Sequence, residues 1–389
     1  MGEKACFRSG TYVRQPLKGY SAFIPAPLPP EPPLRMDAEM RALVSDADRA
    51  IGRLDGVTEL LPSPDWFVAM YVRKEAVYSA QIEGTQASLT DLFEFEAEAL
   101  RKGAAPDVQE VVNYVRAMNY GLDRLQKLPL SLRLMREIHS ILLEDVRGND
   151  KEPGEFRKSQ NWIGGGPGPA NAVYIPPPPQ EMLAALGQFE LFLHDTSPME
   201  PLVKCGLTHS QFETIHPFLD GNGRIGRLLI VFFLCWRGVL RRPLLYISDY
   251  LKRNHYEYND RLQRVRDEGD WEGWMAFFLK GVRSVALEAT ERARRILSLQ
   301  KEHRDLVQSK APGPATAGVL LDYMFERPVF TIPKVTEMTG KSYQSIRNTV
   351  GAFEKLNLLK EITGYRRNRV YAYEPYLDLL ERDLSEEDG

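Results

Sequence analysis

The chain has 389 residues, of which 43% are hydrophobic and 26% charged, a composition typical of a soluble globular protein with two or three domains. Its formal net charge of −3 excludes a global basic field, so any contact with DNA would require a local basic patch. Three cysteines exclude a disulfide framework and favour a reducing compartment. The apolar run at 228–236 is far shorter than the about 20 residues that span a bilayer. With no signal peptide visible, we expect a cytoplasmic protein without membrane contact.

Residues 1–35 form a proline-rich N-terminal arm, with six prolines between positions 25 and 33. This density favours extended backbone, so we expect an irregular strap over the surface. A helical domain is predicted for 36–127. Its first helix runs from Met36 to Asp55, its second from an N-cap at Asp65 to about Ile82, and two more lie between 88 and 127.

The second helix ends in a short polar pattern, Ser79-Ala80-Gln81-Ile82-Glu83-Gly84. Ser79 and Glu83 are four positions apart and therefore share one face of the helix. Gly84 is the residue type that commonly ends a helix. By itself this pattern is weak, because an ordinary helix end gives the same sequence.

A hairpin is predicted between Gly148 and Pro179, early in a proposed domain at 128–280. The segments 160–164 and 172–177 are predicted as strands, separated by a tip rich in glycine and proline. An open edge of such a hairpin is able to accept another strand. The alternative interpretation is a loop with no binding role.

Helices are then predicted for Glu181–His194 and Pro201–His216, with Pro217 ending the second. The negative end of the helix dipole would favour protonated His216 and raise its pKa. His139 and His209 lie on apolar helical faces, so we expect both to be packed core residues; the alternatives are a ligand role for His139 and a supporting role behind the site for His209.

The densest polar stretch of the chain runs from His216 to Arg227 and precedes a buried helix predicted from Arg224 to Trp236. Gly221 and Gly223 indicate a tight turn that presents free N–H groups at the helix N-terminus, where phosphates bind. Arg224 and Arg227 are three apart and suit phosphate recognition. Asp220 is a hard oxygen ligand suited to Mg²⁺, and His216 is placed to act as a base.

A further helix, Ile247–Asp267, is predicted next, and a long amphipathic helix and linker occupy 281–315. The unit at 316–375 reads as three helices followed by a basic hairpin, which resembles a winged helix-turn-helix. The acidic tail at 376–389 opposes DNA binding, so protein contact is the alternative. The predicted DNA-facing residues are Lys341, Tyr343, Gln344, Arg347, Arg366, Arg367 and Arg369.

The stretch from His216 to Arg227 resembles the Fic motif, His-x-Phe-x-Asp/Glu-Gly-Asn-Gly-Arg-x-x-Arg, at every defined position. The resemblance implies that His216 is the general base for attack by a target hydroxyl on the α-phosphate of ATP. It also implies that Phe218 anchors the loop and that Asp220 holds Mg²⁺. The implied ATP-binding residues are Glu83, Gly221, Asn222, Gly223, Arg224, Ile225, Gly226 and Arg227, with Asn254 and Tyr258 on the adenine side.

Two other segments resemble parts of the same family. Ser79, Glu83 and Gly84 match its inhibitory motif, in which the glutamate pairs with the second arginine of the motif, here Arg227, and occupies the space of the γ-phosphate. The segment 148–179 resembles the family's flap, which aligns the target by main-chain pairing. The implied flap residues are Asn161, Trp162, Ile163, Gly164, Val173, Tyr174 and Ile175.

The sequence therefore predicts a mainly α protein: a Fic-type helical bundle with a β-hairpin flap, plus a small C-terminal winged-helix domain. The predicted function is an autoinhibited adenylyltransferase that moves AMP from ATP to a Tyr, Ser or Thr hydroxyl of a target protein, itself included. One alternative is a hydrolase that uses Glu83 to remove AMP. Another is a DNA-binding regulator whose Fic domain senses nucleotide. The sequence leaves the target, the activating signal and a homodimeric state open.

Overall fold

The structure is a computed structural model that describes residues 8–15, 19–61, 64–98, 105–166, 168–364 and 369–381. Contrary to the predicted irregular arm, the N-terminal region contains two paired antiparallel strands, β1 (Gly10–Gln15) and β2 (Tyr20–Pro25). The prediction was wrong here because it gave the prolines more weight than the apolar and aromatic residues before them. Phe23 is fully buried and contacts the rings of Tyr12 and Tyr174.

The N-terminal helices are α1 (Ala38–Glu59), α2 (Pro64–Ile82), α3 (Leu89–Glu98) and α4 (Pro106–Leu125). α1 begins at an N-cap, Asp37, whose side chain accepts from the Met40 N–H. α2 begins one residue before Asp65, which lies in the first turn and is not the predicted cap. Proline suits a first helical position because it has no N–H to leave unpaired, so Pro64 starts the helix.

The central helices are α5 (Leu132–Leu142), α6 (Pro179–His194), α7 (Pro201–Ile215) and α8 (Asn222–Trp236). Every residue of α7 after its first is buried, and α8 packs beside it. α8 begins two residues before the predicted start at Arg224. Because α7 and α8 are both buried, they fix the two ends of the loop that joins them.

The single helix predicted for Ile247–Asp267 is in fact two, α9 (Ile247–Arg253) and α10 (His255–Glu268), joined at the non-helical residue Asn254. The Asn254 side chain donates to the Tyr250 carbonyl, and such local bonding competes with helical backbone. α11 (Trp271–Lys310) starts about ten residues earlier than predicted and packs along α1.

The C-terminal part contains α12 (Pro314–Glu326), β3 (Val329–Thr331), α13 (Ile332–Thr339), α14 (Tyr343–Lys355), β4 (Lys360–Glu361), β5 (Val370–Ala372) and α15 (Glu374–Glu381). The sheet order is β3-β5-β4, all antiparallel. The sequence predicted the hairpin of β4 and β5 but missed β3. It also missed α15, because the acidic residues of this segment hid the apolar ones: Tyr376, Leu377 and Leu380 are buried.

Buried apolar residues from Met40 to Leu380 form one connected cluster. The predicted domain boundaries are therefore not marked by a break in the core. In the described ranges, no helix combines the length and the apolar character that crossing a membrane requires.

Candidate active site

The loop between α7 and α8 is shaped by two residues in left-handed backbone conformation, His216 (φ 49°) and Gly221 (φ 76°). The Asn222 side chain bridges this loop: its Oδ1 accepts from the Phe218 N–H and its Nδ2 donates to the Phe218 carbonyl, both at 2.8 Å. The amide predicted to bind phosphate is thus occupied in holding the loop.

Phe218 and His139 fix the loop from the core side. Their rings stack at 3.8 Å, and both residues are fully buried. His139 Nδ1 accepts from the Gly154 N–H at 2.8 Å, so its Nε2–H donates to the Asp220 carbonyl at 3.0 Å. Burial lowers the pKa of His139 to about 4, which keeps the ring neutral. The prediction of a packed histidine is confirmed.

Two arginines surround His216 at the end of α7. Arg157 donates to the His216 carbonyl at 2.9 Å, and Arg266 lies over the Tyr174 ring at 3.8 Å. Burial, together with the charges of Arg266 and Arg157, lowers the pKa of His216 to about 3. The prediction of a raised pKa was wrong, because desolvation and two nearby cations outweigh the helix dipole. His216 is therefore neutral and able to accept a proton.

Arg227, which is 1% exposed, is held entirely by α2 among the described residues. Its Nε donates to Ser79 Oγ at 2.8 Å, and its Nη2 donates to the Ser79 carbonyl at 3.0 Å and to Glu83 Oε1 at 2.8 Å. Burial by itself would raise the pKa of Glu83, but the attraction of Arg227 and Arg224 holds it below its usual value. The structure thus brings the predicted Ser79, Glu83 and Arg227 together.

Arg224 is equally buried and contacts two carboxylates at 3.4 Å, Asp220 Oδ1 and Glu110 Oε2. Glu110, on α4, also accepts from the Thr85 hydroxyl at 3.1 Å. Sequence reasoning missed Glu110. The only signal was a charged residue beside the apolar stripe of α4, and nothing in the sequence identified its partner.

The first turn of α8 offers an anion site. Within the described chain, the N–H groups of Asn222, Gly223 and Arg224 donate to no acceptor. Gly223 leaves the room that Glu83 uses: a Cβ at this position would lie 2.6 Å from Glu83 Oε1 and 3.0 Å from Arg227 Nη1. The predicted site residues Ile225 and Gly226 lie in the same turn, and both are buried.

The predicted flap has less strand structure than expected. A single bridge pairs Ile163 with Tyr174, and a short 3₁₀ helix, Pro169–Asn171, lies between them. Glycines with positive φ at 164, 165, 166 and 168 prevent two regular strands. One edge is also covered, since the Phe23 N–H of β2 donates to the Ile175 carbonyl at 2.9 Å. Asn161 ties the flap to the loop by donating to the Phe218 carbonyl, while Trp162 and Val173 are exposed.

The predicted adenine-side residues differ in exposure. Tyr258 is buried, and its hydroxyl donates to His209 Nε2 at 2.9 Å, while His209 Nδ1–H donates to the Gly226 carbonyl. His209 is therefore a core residue, as predicted, and burial lowers its pKa to about 4. Asn254 is half-buried at the break between α9 and α10.

The predicted DNA-facing residues lie about α14 and the β4–β5 hairpin. Tyr343, Gln344, Arg347 and Arg369 are exposed and Lys341 is half-buried. Arg366 and Arg367 fall outside the described residues.

Two family models match the chain: "Fic/DOC family N-terminal" at residues 41–123 and "Fic/DOC family" at residues 129–234. Curated relatives include two proteins named "Protein adenylyltransferase Fic". The one from Drosophila yakuba is 27% identical over 237 residues, covering 60% of this chain and 43% of its own. The one from Drosophila virilis is 30% identical over 171 residues, covering 43% and 32%. This chain therefore spans less than half the length of these relatives.

Among solved structures, a Fic family protein from Desulfovibrio desulfuricans G20 superposes with a TM-score of 0.56 at 19% identity, over 88% of this chain and 97% of that one. The similarity establishes the fold.

Proposed function

Because the chain belongs to the Fic/DOC family, we propose that it is an autoinhibited protein adenylyltransferase. It transfers AMP from ATP to a Tyr, Ser or Thr hydroxyl of a target protein. The observation that carries this proposal is the pairing of Glu83 with the buried Arg227 beside a loop that holds a neutral His216.

In the proposed reaction, the target hydroxyl gives its proton to His216 and its oxygen bonds to the α-phosphorus of ATP. The bond from that phosphorus to the bridging oxygen breaks, and pyrophosphate leaves. Arg224, Arg227 and the free N–H groups of the first turn of α8 neutralise the phosphate charge. The protein contributes mainly position and charge, since phosphate transfer requires little covalent chemistry from the enzyme.

Asp220 is the residue that would hold Mg²⁺. Its side chain is about one-third exposed, and its Oδ1 accepts from the Gly221 N–H at 2.5 Å. A single carboxylate suits Mg²⁺, which commonly takes one or two carboxylates together with substrate phosphates and waters. The ion supplies positive charge that neutralises the phosphates.

Inhibition follows from competition for Arg227. The Glu83 carboxylate and the γ-phosphate of ATP are both attracted to the Arg227 guanidinium, and they repel each other. While Glu83 holds Arg227, ATP cannot bind in the productive position. Activation therefore requires α2 to shift, which changes the populations of two states.

The target is proposed to pair with the flap beside Ile163, where the exposed Trp162 and Val173 flank the bridge to Tyr174. Main-chain pairing fixes the position of the target but selects little sequence. The protein itself is a candidate target.

The test uses ATP labelled at the α-phosphate, with Mg²⁺. Native protein, Glu83→Gly and Glu83→Gly/His216→Ala are compared, each alone and with cell lysate. We expect label on protein mainly with Glu83→Gly, at least about tenfold above native, because a charge-assisted contact has been removed. Absence of label with every variant would contradict the transferase proposal.

A second candidate activity is removal of AMP from a modified protein by water that Glu83 orients. It is favoured by the partial exposure of the Glu83 carboxylate and by its proximity to the His216 ring. Incubation of an AMP-modified protein with native enzyme and Glu83→Gly separates the two. Release of AMP by the native enzyme alone supports hydrolysis.

A DNA-binding role is proposed for the C-terminal unit as a winged helix. The exposed Tyr343, Gln344 and Arg347 on one helix support it. A salt-dependent DNA shift should weaken when Arg347 and Arg369 are replaced by Ala. No shift at low salt with any DNA would exclude it.

A further inference from the structure

Glu213 is a buried carboxyl group that the proposed mechanism does not use. It lies on α7, one turn before His216, and is 6% exposed. In the described part of the chain, its Oε1 is buried without a hydrogen-bond partner. This oxygen lies against Gly226 of α8: a Cβ at that position would be only 2.2 Å away. Glycine at 226 therefore lets the carboxyl approach the turn that carries Arg227.

Charged and titratable groups face Glu213 from every helix around it. Arg227 approaches from α8 and Glu83 from α2, and the same α7 carries His209 and His216. On α10, Arg266 and Tyr258 complete the surroundings. Arg266 donates to the Glu213 carbonyl, and no ion pair joins the Glu213 carboxylate to either arginine among the described residues. Burying an ionised carboxyl group without a partner costs free energy, so the carboxylate form of Glu213 is disfavoured while Glu83 holds Arg227.

Protonation explains how the resting state tolerates this group. Burial raises the pKa of Glu213 to about 7, and the repulsion of Glu83 acts in the same direction against the attraction of Arg227 and Arg266. When Glu83 leaves, its negative charge no longer repels Glu213, and Arg227 no longer has Glu83 as a competing partner. Both changes favour the carboxylate form.

Arg227 would lose its partners all at once when α2 moves. Its bonds to Ser79 Oγ, to the Ser79 carbonyl and to Glu83 all come from that one helix. A buried guanidinium without an acidic partner is strongly unfavourable. The replacement must come from an element that stays, and α7 stays because it is buried along its length.

We propose that Glu213 becomes the acidic partner of Arg227 after Glu83 has left, and that it positions this guanidinium for the γ-phosphate of ATP. The proposal rests on the proposed function, since it assumes that Arg227 receives that phosphate. Glu213 is a positioning residue, because it acts through Arg227 and need not touch the nucleotide. Its effect should therefore depend on the presence of the γ-phosphate.

The test measures binding of Mg²⁺-ATP and Mg²⁺-ADP by titration calorimetry in three full-length variants. These are Glu83→Gly, Glu83→Gly/Glu213→Gln and the control Glu83→Gly/Glu75→Gln. Glu75 is an equally buried carboxyl whose pKa burial also raises to about 7, but its oxygens accept from Tyr114 and Ser248. Thermal unfolding of each variant verifies the fold.

We expect Glu213→Gln to weaken ATP binding about tenfold and ADP binding less than about threefold, so the preference for ATP falls. The control should keep that preference. An unchanged ATP-to-ADP ratio in the Glu213→Gln variant overturns the proposal and leaves the proposed function standing. Failure of Glu83→Gly itself to bind ATP overturns both.

If the Glu213→Gln variant does not fold, binding of Mg²⁺-ATP and Mg²⁺-ADP to Glu83→Gly is measured over a pH series instead. A carboxylate is lost as pH falls, so the ATP-to-ADP ratio should decline below pH 7 by more than in the native protein, where the Glu213 Oε1 has no hydrogen-bond partner among the described residues. A ratio that follows the native protein from pH 8 to 5.5 overturns the proposal.

Discussion

The neutral state of His216 depends on its neighbours. Burial and the charges of Arg266 and Arg157 disfavour the imidazolium, which would add a third positive charge beside these two arginines. Because its pKa is lowered, the His216 ring is unprotonated and able to act as a base throughout the neutral pH range. It becomes protonated, and can no longer accept a proton, only at acidic pH.

Removal of one of these two arginines should therefore shift the acidic limb of the pH–activity profile. In the Glu83→Gly background, Arg266→Met should raise the pKa of His216, so that kcat/KM begins to fall at a higher pH than in the parent. The measurement is the pH profile of labelling. Arg264→Met on the same helix is the control, because Arg264 is exposed and pairs with Glu268. Coinciding profiles for Arg266→Met and the parent would contradict the role of Arg266.

Ser79 and Glu83 both contact Arg227. Ser79→Ala removes the hydroxyl that accepts from Arg227 Nε but keeps the carbonyl contact and the Glu83 ion pair. We expect labelling above native by about threefold to tenfold, and below that of Glu83→Gly, since one hydrogen bond to a charged group is lost. Labelling equal to native would show that the hydroxyl does not restrain α2.

At the scale of elements, two buried helices hold a short polar loop. α7 ends in the left-handed residue His216, and α8 begins after the left-handed Gly221, so the backbone reverses without exposing either helix. Between them, Asn222 satisfies both the N–H and the carbonyl of Phe218. These bonds hold the loop backbone between the two helices.

Loss of this bridge should destabilise the protein. Asn222→Ala leaves the buried Phe218 N–H unpaired and its carbonyl bonded to Asn161 alone, and we expect the free energy of unfolding to fall by about 1–3 kcal/mol. Denaturant unfolding measures it, with the exposed Asn259→Ala as the control. A change no larger than in the control would mean that water replaces the amide.

At the scale of the whole molecule, the last described helix, α15, contacts the helix that carries Glu83. Lys74 of α2 is 4% exposed and donates to the Leu380 carbonyl of α15 at 2.8 Å, and Arg292 of α11 donates to the same carbonyl. A shift of α15 would therefore disturb a contact of α2, the helix that carries Glu83.

Lys74→Met should weaken this attachment while keeping an apolar stem of similar length. We expect labelling to rise above native and to stay below that of Glu83→Gly, because the Glu83–Arg227 pair remains. The exposed Lys280→Met on α11 is the control. If labelling by Lys74→Met is no higher than labelling by Lys280→Met, the contact with α15 does not restrain α2.

The sequence by itself determined what is local along the chain. His216, Asp220, Arg224 and Arg227 lie within twelve residues, so their spacing predicted one site, and most helices followed from apolar periodicity. The resemblance to the inhibitory motif also anticipated the partner of Arg227. Main-chain details at Asp65, Asn254 and the flap were missed, because a proline at the first helical position, side-chain bonding and glycine conformation respectively decided the backbone there.

Only the tertiary structure decided the groups that act across long separations. Glu110 lies 114 positions from Arg224, and Arg157 lies 59 from the His216 carbonyl that it contacts. Neither contact has a periodic signature, and the same is true of Glu213 beside Gly226 and of β2 beside the flap. The pKa of His216 shows why: the helix dipole could be deduced from the sequence, but the larger effects of burial and nearby cations exist only once distant segments pack together.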